Sequence, residues 1–103
     1  MASKKPALYN RMKDRYPQYV AAVESLGEAA GRAGPLDEKT LQLIQLAGAA
    51  TSRSEGAVHS HVRRALKAGA TAEEICHALL ALTSTIGFPN VTAALSWAED
   101  VLD

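Results

Sequence analysis

The chain has 103 residues, enough for one small domain, and its 11 basic and 11 acidic residues give a formal net charge of zero. This balance argues against nucleic-acid binding, which uses an excess of Lys and Arg to displace counterions from phosphates. No apolar run approaches the roughly 18 residues of a membrane span, no secretory signal is visible at the start, and Cys76 is a lone cysteine. We therefore expect a soluble, cytoplasmic protein that contacts neither nucleic acid nor membrane.

The start of the chain predicts a tail or short helix over residues 1–15, followed by a single helical domain over residues 16–103. Pro17 can occupy a first helical turn, where its missing N–H costs nothing. From there to Ala30, the apolar residues that recur at helical spacing are Tyr19, Val20, Val23 and Leu26. Gly31 is placed to end this helix.

Asp37 is placed to cap the second helix. The predicted core stripe of this helix is broad, which indicates burial on more than one side, and it comprises Leu41, Leu43, Ile44, Leu46 and Ala47. Gly48 lies on the same stripe, although glycine costs about 1 kcal/mol against alanine inside a helix. We expect a close helix crossing to account for that glycine.

The third helix is predicted from Arg53 to Ala68, with Gly69 closing it in the left-handed conformation. Thr71-Ala-Glu-Glu74 is a capping box, in which a Thr hydroxyl and a Glu carboxylate each accept from a backbone N–H of the other residue. A fourth helix follows to about Ile86, and Pro89 begins a fifth. Because no segment alternates with the period of a strand, the predicted fold class is all-α, a bundle of about five to six helices.

His59 and His61 lie two residues apart on the third helix, and a helix turns by about 200° over two residues. One metal ion cannot bind both side chains from that arrangement. Cys76 lies on the next helix. We therefore expect no metal site in this segment.

One face of the third helix carries a polar ladder at positions i, i+4 and i+8, formed by Glu55, His59 and Arg63. Such a ladder is typical of a solvated face with weak side-chain pairs. The alternative is substrate binding, because Arg63 and Arg64 make the helix locally basic and able to attract a small anionic molecule. No aromatic residues interleave the basic ones, so stacking on nucleic-acid bases is not indicated.

The other face carries His61 among small residues, which are Ser54, Ala57 and Ala65. This pattern fits a half-buried core histidine that hydrogen-bonds a neighbour. From the residues alone we favour this interpretation over the alternative, a general acid/base in a pocket, for which the pKa of histidine is suited near neutral pH. Cys76 lies beside the core stripe of the next helix and is expected to be a buried structural thiol.

Three segments together resemble the carboxymuconolactone decarboxylase-like family, which includes the AhpD-like alkylhydroperoxidases. They are residues 36–44 (LDEKTLQLI), residues 60–75 (SHVRRALKAGATAEEI) and residues 87–95 (GFPNVTAAL). The resemblance extends over about Tyr16 to Leu102. It implies an all-helical fold, assembly as a homo-oligomer, and sites that lie between helices, often near subunit contacts.

The resemblance also implies that one of the two chemistries of the family is lost here. One branch reduces peroxides with a Cys-x-x-Cys pair, an upstream glutamate and a following histidine. Those four positions fall on Ser54, Ala57, Gln42 and His61, so only the histidine is kept. Because that mechanism needs a thiolate and a resolving thiol, we expect negligible thiol peroxidase or antioxidant activity.

The other branch decarboxylates a carboxylated muconolactone without metal or organic cofactor, and its histidine is followed by Val-Arg, as His61 is. The resemblance thus implies a cofactor-free decarboxylase or lactone-type enzyme for a small carboxylate. Its catalytic residues would be His61, Ser54 and Gln42. Its substrate-binding residues would be Glu55, His59, Arg63 and Arg64.

A second hypothesis is a non-enzymatic member of the family, an oligomer that binds small molecules or serves as a scaffold. The loss of three of the four thiol-site residues favours it. The acidic residue expected shortly before the histidine in the decarboxylase branch is displaced, because Glu55 stands there while residue 57 is Ala, and this weakens the decarboxylase assignment itself. The retained His61 and its polar surroundings favour the enzyme.

Overall fold

The computed structural model describes residues 7–102, and every regular element among them is an α-helix, which confirms the predicted all-α class. The helices are α1 (Ala7–Arg15), α2 (Pro17–Gly31), α3 (Glu38–Thr51), α4 (Glu55–Lys67), α5 (Ala72–Leu80), α6 (Thr83–Ile86) and α7 (Phe88–Leu102). Contacts divide the chain into two units, with the boundary between Leu36 and Asp37. None of the described helices has the length and apolar character needed to cross a membrane.

The first unit holds α1 and α2. The predicted short helix is present as α1, while residues 1–6 of the predicted tail lie outside the described residues. Pro17 lies in the first turn of α2, as predicted, and the phenol of Tyr9 donates a hydrogen bond to the carboxylate of Glu24. Of the apolar stripe predicted for α2, only Val20 is buried, whereas Leu26 is 70% exposed. Most of that stripe is therefore not a core face within the first unit.

The second unit packs α3 and α7 against α4, and α5 completes the core. Its largest fully buried side chains come from all four helices and are Leu46, Val58, Val62, Ile75, Leu79 and Val91. Burying an aliphatic side chain of this size contributes about 1.5–3 kcal/mol. This apolar core fixes the helices that carry the polar residues discussed below.

The buried face of α3 differs from the predicted stripe. Gln42 is buried on it together with Leu46, Ala49 and Ala50. By contrast, Ile44 is 51% exposed, and a Cβ added at Gly48 would meet nothing within 4 Å. The expected close helix crossing at Gly48 is therefore absent within the second unit. The prediction was wrong because it followed apolar residues alone, whereas the buried face here begins with a polar one.

A tight turn joins α3 to α4 and closes the end of α3 with two backbone hydrogen bonds. The N–H of Ser54 donates to the carbonyl of Ala49 at 3.0 Å, and the N–H of Arg53 donates to that of Ala50 at 3.1 Å. This is the Schellman arrangement, which needs a left-handed residue between the helices. Arg53 fills that position at φ 54°, where a non-glycine residue costs roughly 1 kcal/mol. Its guanidinium donates to the side-chain oxygen of Asn90 on α7.

Helix α4 begins at Glu55, later than predicted, because the left-handed Arg53 cannot belong to a right-handed helix. Ser54 caps α4, since its hydroxyl accepts from the N–H of Ala57 at 3.4 Å. At the other end, Gly69 at φ 103° closes the helix as predicted. Ser54 thus belongs to the closing turn of one helix and to the first turn of the next.

The predicted capping box opens α5. The hydroxyl of Thr71 accepts from the N–H of Glu74 at 3.0 Å, and the Glu74 carboxylate accepts from the N–H of Thr71 at 2.9 Å. The second of these bonds lowers the pKa of the Glu74 carboxyl. The predicted fourth helix is interrupted, because α5 ends at Leu80 and the short α6 carries the chain to Ile86. The hydroxyl of Thr83 donates to the carbonyl of Leu80 at this break.

We predict that Thr71→Ala lowers the free energy of unfolding by about 1 kcal/mol, because it leaves an N–H of the first turn of α5 without its cap. Urea denaturation followed by circular dichroism measures the change. Thr92→Ala is the matched control: its hydroxyl donates to a carbonyl within α7, and the substitution should change stability by less than about 0.5 kcal/mol. Equal losses in the two variants would contradict the role of the cap.

Candidate functional site

A hydrogen bond between Gln42 on α3 and His61 on α4 lies at the centre of the candidate site. Nδ1 of His61 and Oε1 of Gln42 are 2.9 Å apart. Nε2 of Gln42 donates in turn to Oε2 of Glu38, one turn earlier on α3, at 2.8 Å. The fold therefore brings together two of the three residues predicted to be catalytic, and it adds a carboxylate behind them.

Glu38 fixes the orientation of the Gln42 amide. An ionised carboxylate only accepts hydrogen bonds, so the amide presents its NH₂ group to Glu38 and its oxygen to His61. That oxygen cannot donate, so Nδ1 of His61 must carry the proton of the hydrogen bond. The neutral imidazole is therefore held as the Nδ1–H tautomer, with its lone pair on Nε2.

Nε2 of His61 is accessible from solvent. No hydrogen bond to this atom is formed within residues 7–102. Every fully buried side-chain nitrogen or oxygen in this part of the chain has a hydrogen-bond partner. Nε2 is therefore not a fully buried atom, and its lone pair is at least partly exposed to solvent.

The surroundings keep His61 uncharged near neutral pH. Its partial burial lowers its pKa from the ordinary value of 6.5, because the charged imidazolium loses hydration, and the positive charge of Arg64 lowers the pKa further. No carboxylate bonds to the ring directly within the described residues, since Glu38 reaches it only through the amide of Gln42. His61 thus has the features of a general base, with a fixed tautomer and an open lone pair.

Ser54, the third residue predicted to be catalytic, has a role in the backbone. Its hydroxyl accepts from the N–H of Ala57 as the cap of α4. No hydrogen bond joins Ser54 to His61 or Gln42 within residues 7–102. Its part in catalysis stays a prediction.

The four residues predicted to bind substrate occupy different environments. Arg63 is half-buried and Arg64 is exposed, and neither forms an ion pair within residues 7–102. Glu55 is exposed in the first turn of α4, whereas His59 is only 5% exposed. The polar ladder is therefore not solvated at His59, and the prediction of a solvated face is wrong at that position.

Asp100 on α7 is the partner of His59 that sequence reasoning missed. Nε2 of His59 lies 2.9 Å from Oδ2 of Asp100 and 4.0 Å from Oε2 of Glu55. Asp100 is 41 residues away in the chain, so no spacing rule could have found it. Glu38 was also missed, although its i, i+4 spacing from Gln42 on one helix was a usable signal.

Cys76 is half-buried on α5, not fully buried as predicted. It lines a shallow depression whose other residues are Thr71, Glu73, Glu74, His77 and Leu80. This depression borders neither Gln42 nor His61. The lone thiol and the candidate base therefore do not line this depression together.

These observations define an all-helical protein in which a histidine on α4 is hydrogen-bonded by a side chain of the preceding helix, α3. The site has no thiol pair. The chain belongs to the carboxymuconolactone decarboxylase family, which it matches over residues 17–100. The predicted family is thereby confirmed. The match includes α2 to α6 and most of α7, and so contains both Gln42 and His61.

Similar proteins are found in three other organisms. The structure of apo-lpg0406, a carboxymuconolactone decarboxylase family protein from Legionella pneumophila, superposes with a TM-score of 0.79 and 27% identity, covering 93% of this chain and 88% of that one. A Methanocaldococcus jannaschii protein is 30% identical over 89 residues, which are 85% of this chain and 86% of that protein. A Haemophilus influenzae protein is 39% identical over 57 residues, 55% of this chain and half the length of that relative. The last two are described only as uncharacterized proteins.

We predict that His61 titrates below 6.5 and that its neutral form is the Nδ1–H tautomer, because Gln42 accepts from Nδ1. Long-range ¹H–¹⁵N NMR spectra of the imidazole across pH measure both properties. Gln42→Leu should return the neutral ring toward the Nε2–H form, whereas Gln45→Leu, at an exposed position of α3, should leave the spectrum unchanged. A wild-type pKa at or above 6.5, or an Nε2–H tautomer, would contradict the assignment.

The same pKa shift makes stability depend on pH. A lowered pKa in the folded state means that the unfolded chain binds the proton more readily. The contribution of His61 is therefore fully present above 6.5 and is lost as pH falls through the lower pKa of the folded state. His61→Gln should remove this part of the pH dependence.

Proposed function

We propose that the protein is a cofactor-independent enzyme of decarboxylase or lactone type that acts on a small carboxylate, with His61 as the proton carrier. The main support is the pair of hydrogen bonds that links Glu38 to Gln42 and Gln42 to Nδ1 of His61. Because Nδ1 carries the proton, Nε2 of His61 keeps a free lone pair. A thiol route has no support, because neither Ser54 nor Ala57 carries sulfur. We place this activity in a single domain over residues 16–103 and in the cytoplasm.

The proposed chemistry begins with neutral His61. It accepts a proton at Nε2 from the carbon next to a carbonyl, or from water, and the resulting imidazolium returns the proton. In a decarboxylation, Nε2 takes the proton of the substrate's carboxylic acid group; the electron pair of the broken C–C bond then moves into the neighbouring carbonyl, carbon dioxide leaves, and the imidazolium returns that same proton to the enolate carbon. Gln42 holds the ring through both stages, because its oxygen accepts from Nδ1–H in either charge state.

The charge beside His61 supports an anionic substrate. Arg64 is exposed, and its positive charge acts on the imidazole. It has no ion-pair partner within residues 7–102, so its guanidinium is available to a carboxylate in two parallel hydrogen bonds. We propose that Arg64 binds the carboxylate of the substrate while His61 exchanges the proton.

We predict that His61→Gln lowers turnover by about 100-fold or more, because the amide of Gln can still donate to Gln42 but cannot carry a proton. The measurement is carbon dioxide release and loss of ultraviolet absorbance with a panel of carboxylated lactones and β-keto acids. For the best substrate, kcat/KM of the wild type should rise with pH below 6.5 and level off above it, following the lowered pKa of His61.

His77→Gln on the exposed face of α5 is the matched control and should retain wild-type turnover. A loss below about threefold in a folded His61→Gln variant would remove His61 from the mechanism and leave it as a core histidine. A kcat/KM that falls as pH rises through 6.5 would instead show that His61 acts first as an acid, against its lowered pKa.

A non-enzymatic role in binding small molecules or as a scaffold is the second candidate, and the position of Ser54 favours it. Its hydroxyl caps α4, so it offers less to a substrate than the predicted catalytic set assumed. In this case the wild type would bind a small carboxylate and turn over no member of the panel. Equilibrium binding measured beside the turnover assay separates the two candidates.

We also propose that the protein is a homo-oligomer. Large apolar side chains of the second unit are left open on two of its helices: Ile44 is 51% and Phe88 66% exposed. Monomeric proteins rarely leave large contiguous apolar patches in water. Gly48 lies one turn from Ile44 on the open side of α3, with free space above it. A helix from a second copy is the occupant that we propose for this side of α3.

We predict that light scattering coupled to size exclusion gives a mass that is a multiple of 10.9 kDa. Ile44→Glu should lower this mass, because burying a carboxylate in an apolar contact is costly. Ser96→Glu adds the same charge at an exposed position of α7 and serves as the control. A clean monomer at micromolar concentration would overturn the proposed assembly.

A further inference from the structure

Three metal-ligating side chains converge where α4 packs against α7. Nε2 of His59 lies 2.9 Å from Oδ2 of Asp100 and 4.0 Å from Oε2 of Glu55. One ligand atom from each of the three residues lies within 4.8 Å of the other two. We propose that Glu55, His59 and Asp100 bind a divalent transition-metal ion of the Zn²⁺ type. This site is independent of the proposed chemistry at His61.

The distances suit an ion held between the three ligand atoms. Bonds of about 2.0–2.2 Å to nitrogen and oxygen place neighbouring ligand atoms roughly 3–4 Å apart. The two distances from His59 already fall close to this range. The carboxylate side chains of Glu55 and Asp100 are 58% and 46% exposed, so small rotations can complete the site without moving a helix.

His59 is the fixed ligand of this set. Its side chain is only 6% exposed, and its neighbours Val58 and Val62 on α4 are fully buried in the core. The core therefore holds the imidazole in place, with Nε2 directed at the two carboxylates. Glu55 lies four residues earlier on α4, a spacing that puts two ligands on one side of a helix. A site supported in this way needs little reorganisation when an ion enters.

The ligand set selects the kind of ion. One imidazole and two carboxylates suit borderline divalent metals, whereas Mg²⁺ and Ca²⁺ prefer oxygen ligands throughout. Three protein ligands leave at least one coordination position to solvent, which the exposure of Glu55 and Asp100 allows. We therefore expect affinity in the order Zn²⁺, Mn²⁺, Mg²⁺, from tightest to weakest.

The metal site excluded from the sequence was one shared by His59 and His61, and those two side chains do contact different helices. The present set pairs His59 instead with Asp100, which is distant in the chain. Because Asp100 lies on α7 and the other two ligands lie on α4, the ion would join these helices. Binding to the folded state alone would then raise the melting temperature.

The test uses the full chain without a histidine tag, freed of metal by a chelator and titrated with ZnCl₂, MnCl₂ and MgCl₂ in a calorimeter. We expect one Zn²⁺ per chain, and a rise in melting temperature of roughly 10 °C at about 100 times the dissociation constant. Asp100→Asn and Glu55→Gln should each weaken Zn²⁺ binding at least tenfold.

Glu99→Gln and His77→Gln are the matched controls, because they remove a neighbouring carboxylate and an exposed imidazole outside the cluster. Both should bind Zn²⁺ like the wild type. If Asp100→Asn does not fold, Glu55→Gln alone tests the metal site, because Glu55 is exposed and contributes little packing. The proposed site would be wrong if the wild type binds Zn²⁺ no more tightly than Glu55→Gln does. It would also be wrong if the control substitutions weaken Zn²⁺ binding as much as the substitutions in the cluster.

Discussion

The hydrogen bond between His61 and the buried amide of Gln42 depends on how α3 and α4 are joined. Gln42 lies two to three turns before the end of α3, and His61 lies within the second turn of α4. Their side chains meet because the chain reverses direction in a tight turn at Arg53 and Ser54. The apolar core then holds the two helices side by side. The tautomer of the imidazole, its open nitrogen and its lowered pKa all follow from this contact.

Helix α4 carries two histidines with opposite electrostatic surroundings. His61 meets a neutral amide and lies near the positive charge of Arg64, so its uncharged form is favoured. His59 meets the carboxylate of Asp100, with that of Glu55 nearby, and these are surroundings that suit a cation. Because side chains two residues apart on a helix point about 200° apart, the two environments stay separate. One helix can therefore support proton transfer on one side and binding of a positive ion on the other.

Local chemistry made parts of this fold predictable. The capping box at Thr71 and the left-handed Gly69 were predicted because each depends on residues close in the chain. The start of α4 was missed, because Arg53 fills a position where glycine is usual. The face of α3 was misjudged, because a buried Gln42 pairs with a histidine on another helix. Long-range polar contacts are decided by packing, and spacing along one helix does not record them.

The candidate site likewise contains contacts that could be predicted from the sequence and contacts that could not. His61 and Gln42 were predicted together because they occupy positions that the family resemblance links, and the fold does join them. Asp100 was not predicted, since it reaches His59 only through the packing of α7 on α4. Ser54 was assigned to catalysis by its position in the resemblance, but its hydroxyl caps a helix.

The double role of Ser54 sets the tolerance of this segment to changes in length. Its N–H completes the closing turn of α3 while its hydroxyl caps α4, so only residues 52–54 separate the two helices. One inserted residue would advance α4 by about 1.5 Å and rotate it by about 100° about its axis. Both histidines would then leave their partners at once. Natural variation in loop length should therefore accumulate at the other connections of this chain, and engineered insertions should be placed there too.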